Sequence, residues 1–82
     1  MAWVYLLRCR DDSLYCGWTV DLDRRVAAHS AGRGARYTRT RLPVELAASV
    51  ELPDATAARR LEARVKALPR RAKLDAVRRG LA

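Results

Sequence analysis

Apolar positions along the chain follow two periods, and the changes between them mark the elements. Trp3 to Cys9 (WVYLLRC) and Leu14 to Thr19 (LYCGWT) are dense in β-branched, aromatic and aliphatic residues. Arg10-Asp11-Asp12-Ser13 between them is turn-forming, so the pair predicts a β-hairpin. Gly17 interrupts the second strand, where a glycine marks a bulge or a close backbone approach. The period then becomes helical. Asp21 or Thr19 can cap a helix carrying Leu22, Val26 and Ser30 four apart, and Gly32 and Gly34 end it. Residues 32–43, GRGARYTRTRLP, contain no periodic apolar residues and predict a basic connection.

Val44 to Leu52 (VELAASVEL), bounded by Pro43 and Pro53, predicts a third strand. Asp54 is a good cap for the next helix, in which Ala58, Leu61, Val65 and Leu68 form a stripe at steps of three and four. Pro69 stops that helix and can open another, Arg70 to Arg79, which offers Leu74 and Val77 to the core before Gly80. The order strand, strand, helix, strand, helix, helix is that of a small α/β layer structure. With 82 residues, the expectation is one domain over 1–82. The edge and direction of the third strand are not readable from the pattern.

Composition narrows the partner. The formal charge is +8, and fifteen of the seventeen basic residues are Arg. Arg presents a planar fork of donors suited to phosphate, whereas Lys is a more hydrated point charge. Residues 24–41 hold six Arg and no acid, and residues 59–79 hold seven Arg and two Lys against Glu62 and Asp75. Nucleic acid is the favoured partner, with an anionic membrane, an acidic protein or a coding bias toward Arg as alternatives. The opening MAWVYLLRCR has no basic stretch before its apolar run, which is too short to span a bilayer. Cys9 and Cys16 without a nearby histidine make a poor metal-ligand set and require no oxidising compartment. A cytoplasmic location is expected.

Candidate chemistry lies on both sides of the hairpin. In a regular antiparallel pair the numbers of opposed residues have a constant sum. Tyr5 and Tyr15 share a face if that sum is even. A three-residue loop, Asp11 to Ser13, or a bulge near Gly17 would achieve this. Arg25 and His29 share one helix face. His29, taken alone, reads better as a surface or interface histidine than as an acid–base group. Glu62 is the one acid inside the stripe-bearing helix. Surface pairing with Lys66 is its commoner use, and ligation of Mg²⁺ its alternative. Trp3, Tyr5, Tyr15 and Trp18 can all simply pack in strands. Tyr37, among arginines in a glycine-bearing loop, suits a nucleic-acid contact.

Taken together, these residues resemble the GIY-YIG nuclease superfamily, and within it the small single-domain YhbQ-like (UPF0213) branch. Val4-Tyr5-Leu6 is similar to the first signature, with Val4 where that signature has glycine. Tyr15-Cys16-Gly17 is similar to the second. VYLLRC, DSLYCGWT, DLDRRVAAH, GRGARYTR, LPVEL and ARRLEARVKALPRRAKLDAV extend the likeness over nearly the whole chain. Trp18 stands where some relatives carry lysine, and the chain has no asparagine, which several relatives use late in the domain.

The resemblance implies a compact domain with a three-stranded antiparallel sheet flanked by three helices. It implies a metal-dependent endonuclease hydrolysing nucleic-acid phosphodiesters, DNA foremost, with one Mg²⁺ or Mn²⁺ held by Glu62. Tyr5 would activate or orient water, Tyr15 position the scissile phosphate, and Arg25 stabilise the pentacovalent phosphate. His29 would support or transfer a proton, and Gly17 would be structural. Arg24, Arg33, Arg36, Tyr37, Arg39, Arg41 and Lys66 are the expected nucleic-acid contacts. A partner protein could supply targeting. A non-catalytic nucleic-acid-binding module, or a domain binding an acidic protein, stands as the alternative.

Overall fold

β1 (Ala2–Arg8) and β2 (Leu14–Thr19) form the expected antiparallel hairpin in the computed structural model, which describes residues 1–80. The chain continues through α1 (Leu22–Ser30), α2 (Arg36–Arg39), β3 (Glu45–Leu52), α3 (Ala55–Lys66) and α4 (Arg70–Arg79). β1 lies in the middle of the sheet, in the order β2-β1-β3, and pairs antiparallel with both neighbours. The sheet and its direction are those the family resemblance implies. Among the described residues the helices number four rather than three, because the basic connection contains the single-turn α2.

Strand alternation sorts the side chains. Ala2, Val4 and Leu6 of β1, Cys16 of β2 and Ala48 of β3 share the core with Ala58, Leu61 and Val65 of α3 and Ala76 and Val77 of α4. Val4, Leu6, Ala58, Val65 and Val77 are fully buried. Of the four stripe positions, Ala58, Leu61 and Val65 are therefore core residues of α3, while Leu68 lies just past the helix and packs at the edge of the core. On α4, Val77 is buried as expected. Leu74 is only partly covered, and Ala76 takes the inner position beside Val77.

α1 and α3 begin as their sequences dictate. The Asp21 carboxylate accepts from the Arg24 amide at 3.2 Å, and Asp54 accepts from the Ala57 amide at 2.8 Å. Each satisfies an amide that has no partner within its helix. Thr19 supports the first cap, its hydroxyl oxygen accepting from the Asp21 amide at 3.2 Å. Gly80 closes α4 at φ 69°, a left-handed position suited to glycine.

The hairpin register departs from the expected loop. Trp3 pairs with Thr19 and Tyr5 with Gly17, an even sum of 22 rather than the 24 that an Asp11–Ser13 loop requires. The Cys9 amide donates to the Ser13 carbonyl at 2.9 Å, and the Asp12 amide donates to the Cys9 carbonyl at 2.9 Å. Asp12 takes φ 67°. The loop is thus Arg10–Asp12, a tight turn closed by a left-handed residue that Asp tolerates. No bulge interrupts the β1–β2 pairing at Gly17. The irregularity falls between β1 and β3, after Leu6 pairs with Ala48 and before Leu7 pairs with Leu46. β3 itself begins at Glu45, one residue later than expected.

Candidate active site

The even register places Tyr5 and Tyr15 on the sheet face opposite the α3–α4 core. Tyr5 points across its partner Gly17, whose missing side chain makes room for the ring. A Cβ at Gly17 would lie 2.5 Å from Tyr5 Oη and 2.6 Å from Cζ. Only glycine admits the ring in this position, which is the close approach suggested by a glycine inside a strand.

The Tyr5 hydroxyl lies 3.0 Å from His29 Nε2, and both side chains are buried, at 1% and 0% exposure. His29, read from the sequence as a surface or interface histidine, is instead fully buried within the fold. The α1 helix carries it under α2, where its Nδ1 lies 2.8 Å from Thr38 Oγ1. Tyr15 packs against the same imidazole, with ring centroids 5.2 Å apart, and Tyr5 meets it edge-on at 5.8 Å. Tyr37 stacks on Tyr15 at 5.9 Å.

The surroundings set protonation. Burial is the main cause raising the Tyr5 pKa, and the charges of Tyr15 and Glu62 add to it, while Arg25 opposes it by hydrogen bonding and charge. Tyr5 is thus a neutral phenol near pH 7. Burial, then the Arg25 charge, lowers the His29 pKa and favours the neutral imidazole. The charges of Arg25 and Glu62 thus bear on Tyr5 in opposite directions. Arg25 also lines a cleft of about 230 Å³ with Thr19, Asp21, Arg24 and Ala28. A larger hollow, of about 600 Å³, lies between α3 and α4 and includes none of these site residues.

Glu62 projects from α3 with 20% of its side chain exposed, and its Oε2 lies 3.6 Å from Lys66 Nζ. Glu62 thus makes the surface pair with Lys66, and its charge also reaches Tyr5. Among the described residues, no three His, Cys, Asp or Glu side chains gather as a metal cage. The donor set fits an ion that keeps most of its waters and takes one carboxylate plus substrate oxygen, as Mg²⁺ does.

Residues 1–75 match the family profile described as the GIY-YIG catalytic domain. The chain belongs to the GIY-YIG family. This is a family of nucleases, and the relatives place the chain in its UPF0213 branch. A UPF0213 protein of Xanthomonas axonopodis pv. citri is 52% identical over 71 residues, covering 87% of this chain and 70% of the relative. One from Streptococcus sanguinis is 49% identical over 73 residues, covering 89% and 84%. Against UPF0213 protein YsiG of Lactococcus lactis the match is 56% over 50 residues, and it spans only about half (48%) of that relative's length. The solution NMR structure of a UPF0213 protein from Bacillus halodurans is similar at TM-score 0.58 and 46% identity, covering 94% of this chain and 83% of that one.

Within the GIY-YIG domain, the expected nucleic-acid contacts divide into two groups. Arg24, Arg33, Arg36 and Arg39 are exposed, and among the described residues none forms an ion pair. Arg41 is internally engaged. Its Nε lies 3.0 Å from Asp11 Oδ2, its Nη1 donates to the Tyr37 carbonyl at 3.0 Å, and its guanidinium covers the Tyr37 ring at 3.8 Å. Tyr37 is therefore held between Tyr15 and Arg41, with 37% of its surface exposed. Lys66 is paired with Glu62 as described.

Two residues of this site were not picked out as site residues from the sequence. Thr38 is fully buried against His29, and a Cβ at Gly34 would collide with His29 Nδ1. Thr38 is nine residues from His29 across an aperiodic loop, so no helical or strand spacing joins them. The available clue was chemical: a buried histidine needs partners for both ring nitrogens.

Among the described residues, no helix is long and apolar enough to cross a membrane.

Proposed function

We propose that this chain is a divalent-metal-dependent endonuclease that hydrolyses nucleic-acid phosphodiesters, with DNA as its substrate, in the cytoplasm. The observation carrying this reading is the buried Tyr5–His29 hydrogen bond, with Tyr15 packed on the same imidazole and the charges of Arg25 and Glu62 bearing on the phenol. A packed hydrophobic face does not require such a polar set.

A free tyrosine titrates near pH 10, and burial raises Tyr5 further. It cannot serve as a preformed tyrosinate. The neutral imidazole beside it resolves this difficulty. As Tyr5 takes a proton from the attacking water, its own proton passes to His29 Nε2, so the phenol stays neutral and the charge ends on His29. Tyr5 has 1% exposure, so the water it orients is one held against the bound phosphate rather than bulk solvent. Arg25 meets the negative charge that develops at phosphorus, where a fixed cation lowers the barrier most. Tyr15 positions the phosphate. Glu62 would hold the divalent ion, which supplies charge neutralisation at the phosphate. Arg24, Arg33, Arg36 and Arg39 would follow the nucleic-acid backbone, while a partner protein could supply targeting.

A module that binds nucleic acid without cutting it is the second reading. It is favoured by the Lys66 ammonium, which already lies beside the Glu62 carboxylate. Purified protein incubated with branched, nicked, single-stranded and duplex DNA, in Mg²⁺ and in EDTA, separates the two. Cleavage that requires Mg²⁺ and is lost in Glu62→Ala supports the nuclease. Salt-sensitive binding with no cleavage of any substrate supports the binding module.

A further inference from the structure

We propose that Thr38 is a positioning residue that fixes the tautomer of His29, so that the lone pair of Nε2 faces Tyr5. This deepens the proposed nuclease reading and rests on it for its catalytic meaning. The hydrogen-bond geometry stands independently.

The direction of the chain of hydrogen bonds follows from its far end. Thr38 is the third residue of the single-turn α2, and this turn brings its hydroxyl 2.9 Å from the Ala35 carbonyl oxygen. A carbonyl only accepts, so Thr38 donates there. With that proton committed, Thr38 Oγ1 accepts from its other neighbour, His29 Nδ1, at 2.8 Å. Nδ1 therefore carries the ring proton. In a neutral imidazole the second nitrogen then accepts, so Tyr5 donates to Nε2 across 3.0 Å. Tyr5, His29, Thr38 and Ala35 form a single directed relay in which all three side chains are essentially inaccessible to water.

The opposite tautomer would place a proton on Nε2. His29 would then donate to Tyr5 and could not receive its proton. Thr38 thus decides whether His29 is a proton acceptor, although it is itself fully buried. Gly34 supports the arrangement by leaving space for the ring, since any side chain there would meet Nδ1. The same bonds account for α2 itself. Its sequence, RYTR, has no apolar period, and its buried residue is Thr38.

The chain contains one histidine, so its ring nitrogens give unambiguous signals in a two-dimensional ¹H–¹⁵N multiple-bond spectrum of the full ¹⁵N-labelled chain. At pH 8 the wild type is expected to show the Nδ1–H tautomer. Thr38→Val, which removes the acceptor but keeps the shape, is expected to lose that tautomer as the dominant species, and Thr38→Ser to restore it. Cleavage by Thr38→Val should fall about tenfold or more in kcat with little change in KM, since positioned proton transfer contributes ~10²–10⁴ in rate, and Thr38→Ser should recover most of it. A wild-type Nε2–H tautomer overturns the proposal, even if Thr38→Val does not fold. An unchanged Nδ1–H tautomer in folded Thr38→Val also overturns it. The spectrum needs no turnover. A wild type with the Nδ1–H tautomer lost in Thr38→Val, yet with no cleavage, supports the role of Thr38 in setting the tautomer and overturns the nuclease reading alone.

Discussion

Gly17→Ala adds one methyl group where the structure has no room for it. Its Cβ would lie 2.5 Å from Tyr5 Oη and 2.6 Å from Cζ, well inside contact distance. Neither atom belongs to a flexible chain end, because Tyr5 is buried at 1% exposure and its hydroxyl is tied to His29. Overfilling a packed site costs about 1–3 kcal/mol. If the ring swings away, the hydrogen bond to His29 is lost, and a buried imidazole nitrogen without its partner costs about 1–3 kcal/mol. The two costs are alternatives in part, so the expected loss is about 2–4 kcal/mol. A chain of this size has about 4–12 kcal/mol of stability in all. With a urea slope of about 1 kcal/mol/M, the midpoint should fall by about 2 M or more. The same variant should lose cleavage, since Tyr5 no longer meets His29. Adding Tyr5→Ala to Gly17→Ala should cost less than the sum of the single changes, because the collision disappears. A Gly17→Ala midpoint within about 0.5 M of wild type, by the same slope, would refute the claim that Tyr5 occupies the glycine's space.

The pKa of His29 is lowered in the fold, so between that value and the unfolded value of about 6.5 the unfolded chain binds a proton that the native chain does not. Stability from this group is therefore complete above about pH 6.5 and declines as the pH falls toward the native pKa. Urea midpoints should drop from pH 7.5 to 5.5, and a flat profile would contradict the burial of a neutral His29. Nucleic-acid affinity should decrease steeply with salt, and Arg36→Ala and Arg39→Ala should each reduce the log–log salt slope by about 1. Unchanged slopes would remove those two arginines from the interface. Val65→Ala, at a fully buried position of α3, should cost about 1–3 kcal/mol by chemical denaturation while leaving residual cleavage at low temperature intact. A loss of cleavage without a loss of stability would place Val65 in the site rather than under it.

Elements whose cause is local were legible in the sequence. The hairpin, α1, α3 and α4 follow from apolar period, the Asp21 and Asp54 caps and the stops at Pro69 and Gly80. The Tyr5–Gly17 relation could be suspected because a strand glycine signals close approach, and the shared face of Tyr5 and Tyr15 followed from an even register. The loop that delivers this register was misplaced by one residue, because Asp12 adopts a left-handed conformation with no glycine to announce it. α2 was invisible for a different reason. Its four residues have no amphipathic period, and contacts with His29 and Ala35 hold it. The burial of His29 was hidden in the same way: α1 alone cannot reveal that α2 closes over it.

In the proposed nuclease, Tyr5, Arg25 and Glu62 act together in metal-dependent phosphodiester cleavage. The most direct test of this joint action is the single-turnover cleavage rate of the best DNA substrate in Mg²⁺, compared among wild type, Arg25→Ala and Glu62→Gln, each first shown to be folded. Wild-type cleavage is expected to be abolished by EDTA, and the rate to fall about 10²-fold or more in both variants. No wild-type cleavage in Mg²⁺, or rates in either variant equal to wild type, would contradict it.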